Sequence, residues 1–154
     1  MSATERQPSV FERYTERARR AVFYARYEAA HSGPPIEPEH LLLGIIRDDG
    51  GMMRGILAKR SIEVGDLQRE LESLRPARPE PPVGMDIPLS GRSMRALELA
   101  ERESAGGGYL GVEHILVGIL LEGGSAATVL QKRGLDATVA RHAIMQLLKE
   151  RSNA

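Results

Sequence analysis

Apolar residues recur at helical spacing along most of the chain. Phe11, Tyr14, Ala18, Ala21, Val22, Ala25 and Ala29 share one face, with Arg13, Glu16, Arg17 and Arg20 on the others. The spacing predicts a first helix with two candidate start signals, the capping box Ser9-Val10-Phe11-Glu12 and Thr15, and a stop at Gly33-Pro34-Pro35. Pro38 suits the first turn of a second helix, whose apolar face is Leu42, Ile45 and Ile46 and whose stop is Asp48-Asp49-Gly50-Gly51. A short helix over Met52–Lys59 would bury Met53, Ile56 and Leu57; another over residues 64–74 carries Leu67, Leu71 and Leu74 on one face. Ser90 is a candidate N-cap, followed by Met94, Leu97 and Ala100 in a helix broken by Gly106-Gly107-Gly108. Residues 109–121 predict a turn and a helix with Ile115, Leu116, Ile119 and Leu120 inward. Gly123-Gly124-Ser125 stops it and caps a short helix over residues 126–132, with Gly134 fitting its C-terminal end. A last helix over residues 139–150 carries Ala143, Ile144, Leu147 and Leu148 inward.

The pattern is written twice. IEPEHLLLGII at residues 36–46 is answered by residues 109–121, YLGVEHILVGILL. Glu39-His40 matches Glu113-His114, Leu42 matches Leu116 and Gly44 matches Gly118, all at one constant interval. The expected fold is therefore all-α: two tandem pseudo-symmetric four-helix repeats, over residues 9–74 and 89–151, packed into one globular domain. A proline-rich linker over residues 75–88 joins them. Each repeat has roughly 65 residues, small for a core of its own, which favours joint packing. Residues 1–8 are polar and read as a disordered terminus.

Composition narrows the function classes. Lys and Arg number 21 and Asp and Glu number 21, a balance that argues against a nucleic-acid binder driven by phosphate neutralisation. Cysteine is absent, which removes disulfides and thiolate chemistry. No apolar run approaches the ~20 residues of a membrane span, and the first residues lack the apolar segment of a secretory signal. A cytoplasmic protein is the default expectation.

FERYTERARRAVFYARYEAA, EPEHLLLGIIRDDGG and LQRELESL in the first copy, with IPLSGRSMRALELAERES, YLGVEHILVGILLEGGSAATVLQKRG and ARHAIMQLL in the second, resemble the two repeats of the Clp N-terminal domain, most closely its ClpC branch. The resemblance runs from Phe11 to about Leu148. It implies the substrate- and adaptor-binding module of the Clp ATP-dependent unfoldases. The chain departs from that family where a Gly-Thr-Glu-His lead-in is usual: it has Glu37-Pro38-Glu39-His40 and Gly111-Val112-Glu113-His114, so both copies lack the threonine hydroxyl. No G-x-x-x-x-G-K-[ST] is present in these residues, leaving a fragment of a larger protein and a stand-alone protein as alternatives.

The resemblance implies that Glu39 and Glu113 recognise the guanidinium side of phosphorylated arginine on client proteins. A carboxylate suits a planar donor fork, although a first-turn acid is also favoured by the helix dipole alone. It implies that Thr15 and Ser90 meet the phosphate at helix N-termini, a role compatible with plain N-caps, with Arg17 and Arg92 balancing its charge. Phe11 and Leu89 match an apolar docking surface near the inter-repeat groove, and Phe11 could equally begin its helix's core. Met52, Met53 and Met85 read as core filler or adaptable docking surface. His40 and His114 read as histidines satisfied by backbone partners. Adjacent Glu and His point about 100° apart on a helix, and no H-E-x-x-H is present, so neither a metal site nor a cofactor is expected.

The leading expectation is a non-catalytic binding module, monomeric in isolation. Its partners would be client proteins, Clp adaptors or a Clp ATPase. The alternative is a regulatory decoy that sequesters clients, adaptors or Clp-targeting small molecules. Hydrolysis of phosphoarginine by the Glu-His pair is disfavoured, because no nucleophile, base and orienting group stand together. The second copy is expected to be the working site. Pro38 removes a backbone donor and Glu37 adds negative charge at the first.

Overall fold

A computed structural model describes residues 11–48, 51–75 and 86–153. Among these the fold is all-α, with eight helices: α1 (Glu16–Ser32), α2 (Pro38–Arg47), α3 (Met52–Lys59), α4 (Val64–Ser73), α5 (Gly91–Glu103), α6 (Val112–Glu122), α7 (Ser125–Gln131) and α8 (Ala137–Ser152). Expectations for the disordered terminus, the Ser9 capping box, Asp49-Gly50, most of the linker and Met85 fall outside the described residues.

The start of α1 is decided by Thr15, whose Oγ1 accepts from the Ala18 N–H at 3.1 Å. Ser90 caps α5 in the same way, through the Ser93 N–H at 3.0 Å. Phe11 and Tyr14 therefore precede α1 and do not belong to its face, a correction to the periodicity. Tyr14 is nonetheless buried, held extended by a bridge to Leu110. Asp136, which the apolar pattern missed, caps α8 through the Val139 N–H at 2.8 Å. Leu148, expected to face inward, is exposed, and so are Leu74 and Met94. Leu74 is the C-cap of α4 and Leu148 lies in the last turns of α8, both past the layer that covers the core.

Two helix pairs are packed at backbone distance. A Cβ on Gly44 would lie 2.1 Å from the Ala21 carbonyl oxygen, and one on Gly118 would lie 2.2 Å from that of Ala96. The partner helices answer with alanine: Ala18, Ala21, Ala25 and Ala29 on α1, Ala96 and Ala100 on α5, all buried.

The two halves interlock. Thr15 N–H donates to the Leu110 carbonyl at 2.9 Å and Leu110 N–H to that of Arg13 at 2.8 Å. The matching bonds run the other way: Ile36 N–H to the Pro88 carbonyl at 2.8 Å, and Ser90 N–H to that of Ile36 at 3.0 Å. The segment before the first helix of each half thus pairs with the segment before the second helix of the other. The α2 and α6 helices meet at the centre, α3 packs on α8, and α4 on α7. Among the described residues no single helix is long and apolar enough to cross a membrane.

Exposed Gly→Ala changes in helices stabilise by about 1 kcal/mol. Gly44→Ala and Gly118→Ala should instead each destabilise the chain by about 1–3 kcal/mol, because the methyl meets backbone that cannot swing aside. Urea unfolding of each variant measures the sign. A gain in stability would mean that the helices are not in backbone contact.

Candidate functional site

Each half builds a site where its second helix begins. In the second half, His114 sits in the first turn of α6 and its Nδ1 accepts from the Gly111 N–H at 2.9 Å. That bond satisfies a donor the helix start would otherwise leave open. It also keeps Nδ1 deprotonated. Glu113 is 8 % exposed. Its carboxylate folds back over Gly111, where a Cβ would lie 2.3 Å from Oε1. Tyr109, four residues before, donates its hydroxyl to Glu113 Oε2 at 3.2 Å. The charge of Glu113, and then burial, raise the Tyr109 pKa above the ordinary phenol value. These groups open onto a cavity of about 230 Å³ with an apolar wall of Val117, Ile144, Met145 and Leu148. At its rim Arg141 forms a two-point pair with Glu103, at 2.8 and 2.9 Å, which holds the Glu103 carboxyl below its usual range.

The first half repeats the cap but not the cavity. His40 Nδ1 accepts from the Glu37 N–H at 2.9 Å. The Ser32 hydroxyl donates to the Glu28 carbonyl at 3.0 Å, so the 2.7 Å contact from His40 Nε2 to Ser32 Oγ is made by an Nε2–H donor. His40 is therefore the neutral Nε2 tautomer, and burial holds its pKa below the ordinary imidazole value. Glu37 stands where the second half has Gly111. The Arg75 guanidinium takes both acids, with Nη2 3.0 Å from Glu37 and Nε 3.2 Å from Glu39. The space left is about 60 Å³.

The remaining sequence candidates are distributed as follows. Thr15 and Ser90 are N-caps of α1 and α5, each hydrogen-bonded to the lead-in of the opposite half's second helix. Arg17 pairs with Asp48 and Arg92 with Glu122, both at 3.3 Å, so each arginine reaches the far end of its own half's second helix. Phe11 and Leu89 do come together. With Tyr14, Met94 and Leu97 they line an apolar groove of about 320 Å³, bordered by Glu98 and Glu101. Phe11 stacks edge-on to Tyr14, with ring centroids 5.0 Å apart. The exposed Met94 faces this groove and not the core.

The profile of the Clp repeat (R) N-terminal domain matches residues 13–133. The chain belongs to the Clp N-terminal domain family. It is 34 % identical over 150 residues to the chloroplastic chaperone protein ClpC of Pisum sativum, covering 95 % of this chain and 16 % of that protein. It is 36 % identical over 143 residues to the chaperone protein ClpB of Oceanobacillus iheyensis, covering 90 % and 17 %. It thus spans about a sixth of the length of these relatives. The crystal structure of the ClpD N-terminal domain from Arabidopsis thaliana superposes with a TM-score of 0.70 at 28 % identity, covering 94 % of this chain and 99 % of that one. The Hsp104 N-terminal domain from Candida albicans shares the fold, with a TM-score of 0.70 at 21 % identity and coverage of 88 % and 91 %. Clp N-domains are substrate- and adaptor-binding modules of Clp ATPases.

Sequence reasoning missed four polar residues of this Clp N-domain's sites. Tyr109 could have been found from its i, i+4 spacing to Glu113. Arg75 and the Arg141–Glu103 pair carry no local signal, since each contact joins separate helices.

The His40 shift gives a signed pH dependence. The unfolded imidazole binds its proton near pH ~6.5, and the folded one only at lower pH. Stability should therefore fall as pH drops below about 6.5 and level off under the folded value. His40→Gln keeps an acceptor for the Glu37 N–H, as in a capping box, but cannot titrate. Urea midpoints at about pH 5 and pH 7.5 should separate more for the parent chain than for His40→Gln. Equal separations would show that His40 does not titrate against folding.

Proposed function

We propose that this Clp N-domain is a non-catalytic receptor working for a Clp unfoldase–protease in the cytoplasm. It takes arginine side chains of client proteins, phosphorylated ones above all, into the second-half cavity, and adaptors onto the apolar groove at Phe11 and Leu89. The observation that carries this reading is Glu113. It is a buried carboxylate in the wall of an open cavity, with a tyrosine hydroxyl and, among the described residues, no cation as its partner. Carboxylates taken from water are stabilised by paired N–H donors, which a planar guanidinium supplies. The equivalent Glu39 already accepts from a guanidinium, that of Arg75. Val117, Ile144 and Leu148 suit the aliphatic stem of an arginine.

A phosphoryl group on that guanidinium also has support nearby. The N-cap of α1 is bonded to Leu110, three residues before Glu113, and helix N-termini favour anions. Arg17 and Arg151 both approach Gly51, and the charge of Arg151 is felt at Tyr109. Within the cavity His114 Nδ1 is committed to the Gly111 N–H and Glu113 to Tyr109, which favours binding over hydrolysis.

Calorimetric titration with phosphoarginine tests the reading. The unmutated chain should bind one equivalent. Glu113→Gln should weaken binding by roughly tenfold or more, as expected for the loss of a charge-assisted hydrogen bond of about 1.5–3 kcal/mol, while Glu39→Gln should leave it unchanged. Absence of heat with the unmutated chain, or equal losses in the two variants, would overturn it.

A further inference from the structure

The two halves offer the same helix, the same Glu-His pair and the same cap, yet the second-half cavity is about 230 Å³ and the first-half one about 60 Å³. Among the differences in lining, two are exchanges of opposite charge. Glu37 stands where the second half has Gly111, and Arg75 stands where it has Leu148. Arg75 lies just past the C-cap of α4, at the spacing that continues Leu67 and Leu71, as Leu148 continues Ala140 and Ile144 within α8. Two adjacent carboxylates, half-shielded from water, repel each other and require a cation. Arg75 supplies it with two separate N–H edges, one to each acid, at 3.0 and 3.2 Å. The guanidinium thus lies against Glu39, the counterpart of the Glu113 carboxylate that would take a client's arginine.

We propose that Arg75 is an internal ligand that closes the first-half site, so that the folded chain presents one open guanidinium site and holds a second in reserve. The proposal rests on the reading of Glu39 and Glu113 as guanidinium acceptors. A tethered group competes at an effective concentration of about a millimolar, which an external ligand must exceed to displace it. Capture is therefore monovalent by default. It becomes bivalent when Arg75 is drawn away, for instance by a partner that offers its guanidinium a doubly charged anionic acceptor.

The test uses the full chain, labelled with nitrogen-15. The Arg75 Nε–H signal, identified by its loss in Arg75→Leu, should be protected from solvent exchange and should move to the free-arginine position in Glu39→Gln. A signal already at the free position in the unmutated chain would overturn the proposal. Titration with phosphoarginine should saturate at one equivalent in the unmutated chain. In Arg75→Leu, and in Arg75→Gln should the leucine variant fold poorly, it should reach two equivalents, with the Glu39 and His40 amides responding to the second. One equivalent in both variants, with those amides silent, would overturn closure. Should no variant bind phosphoarginine, the phosphoarginine reading fails by itself and methylguanidinium becomes the probe. A response at the His40 amide only when Arg75 is replaced supports closure, and an equal response with and without Arg75, or none, overturns it.

Discussion

The contact on which this fold depends is backbone against backbone at Gly44 and Gly118. No side chain separates α1 from α2 or α5 from α6 at these points, since even a methyl group would reach within 2.2 Å of a carbonyl oxygen. Alanine rows on α1 and α5 complete the fit. Such a contact cannot slide by a residue without driving a Cβ into main chain, so it fixes register as well as distance. The first turns of α2 and α6 are then set relative to the C-terminal half of their partner helices. This is why Ser32 meets His40 and why Glu103 lies at the rim of the cavity that Glu113 walls.

Register within a half would not by itself make a site. The reciprocal bonds of Leu110 with Arg13 and Thr15, and of Ile36 with Pro88 and Ser90, place the start of each half's first helix against the lead-in to the other half's second helix. A helix N-terminus and a carboxylate-bearing first turn are thereby brought together from opposite halves. Each half holds both groups, but the bonds join each one to its counterpart in the other half. The packing of α3 on α8 and of α4 on α7 closes the remaining faces in the same crossed sense. The duplication matters physically because each half completes the other.

Much of this was legible in the sequence because it is local or periodic. The repeated Glu-His pair, the paired glycines, Pro38 at a helix start and the glycine stops all act over a few residues, and the helices lie close to where these signals put them. The errors have physical causes. Phe11 and Tyr14 continue the helical spacing of α1, but Thr15 caps the helix after them and the bridge to Leu110 holds Tyr14 extended. Leu74 and Leu148 continue a true helical row beyond the depth of the core. Met94 keeps its place on α5 and turns to the groove with Leu89. Glu37 was read as a surplus negative charge at the first site, which is right for the residue and incomplete for the fold. Its partner lies 38 residues along the chain, and nothing at either position announces the pairing.

The asymmetry of the two sites follows from that pairing. Gly111 has no Cβ, so the Glu113 carboxylate can fold back over the helix start and leave the cavity open beneath it. Glu37 carries a side chain there. Its acid joins Glu39 in facing Arg75, and the guanidinium fills most of the space between. One exchange without the other would be unfavourable: Glu37 alone would leave two acids unpaired, and Arg75 alone would lose half its acceptors. Together they add no net charge: Glu37, Glu39 and Arg75 form a hydrogen-bonded cluster that keeps one uncompensated negative charge, as Glu113 does in the roomier counterpart. Two copies of one helical plan can thus differ in ligand access through the side chains at their helix starts and the helices that face them.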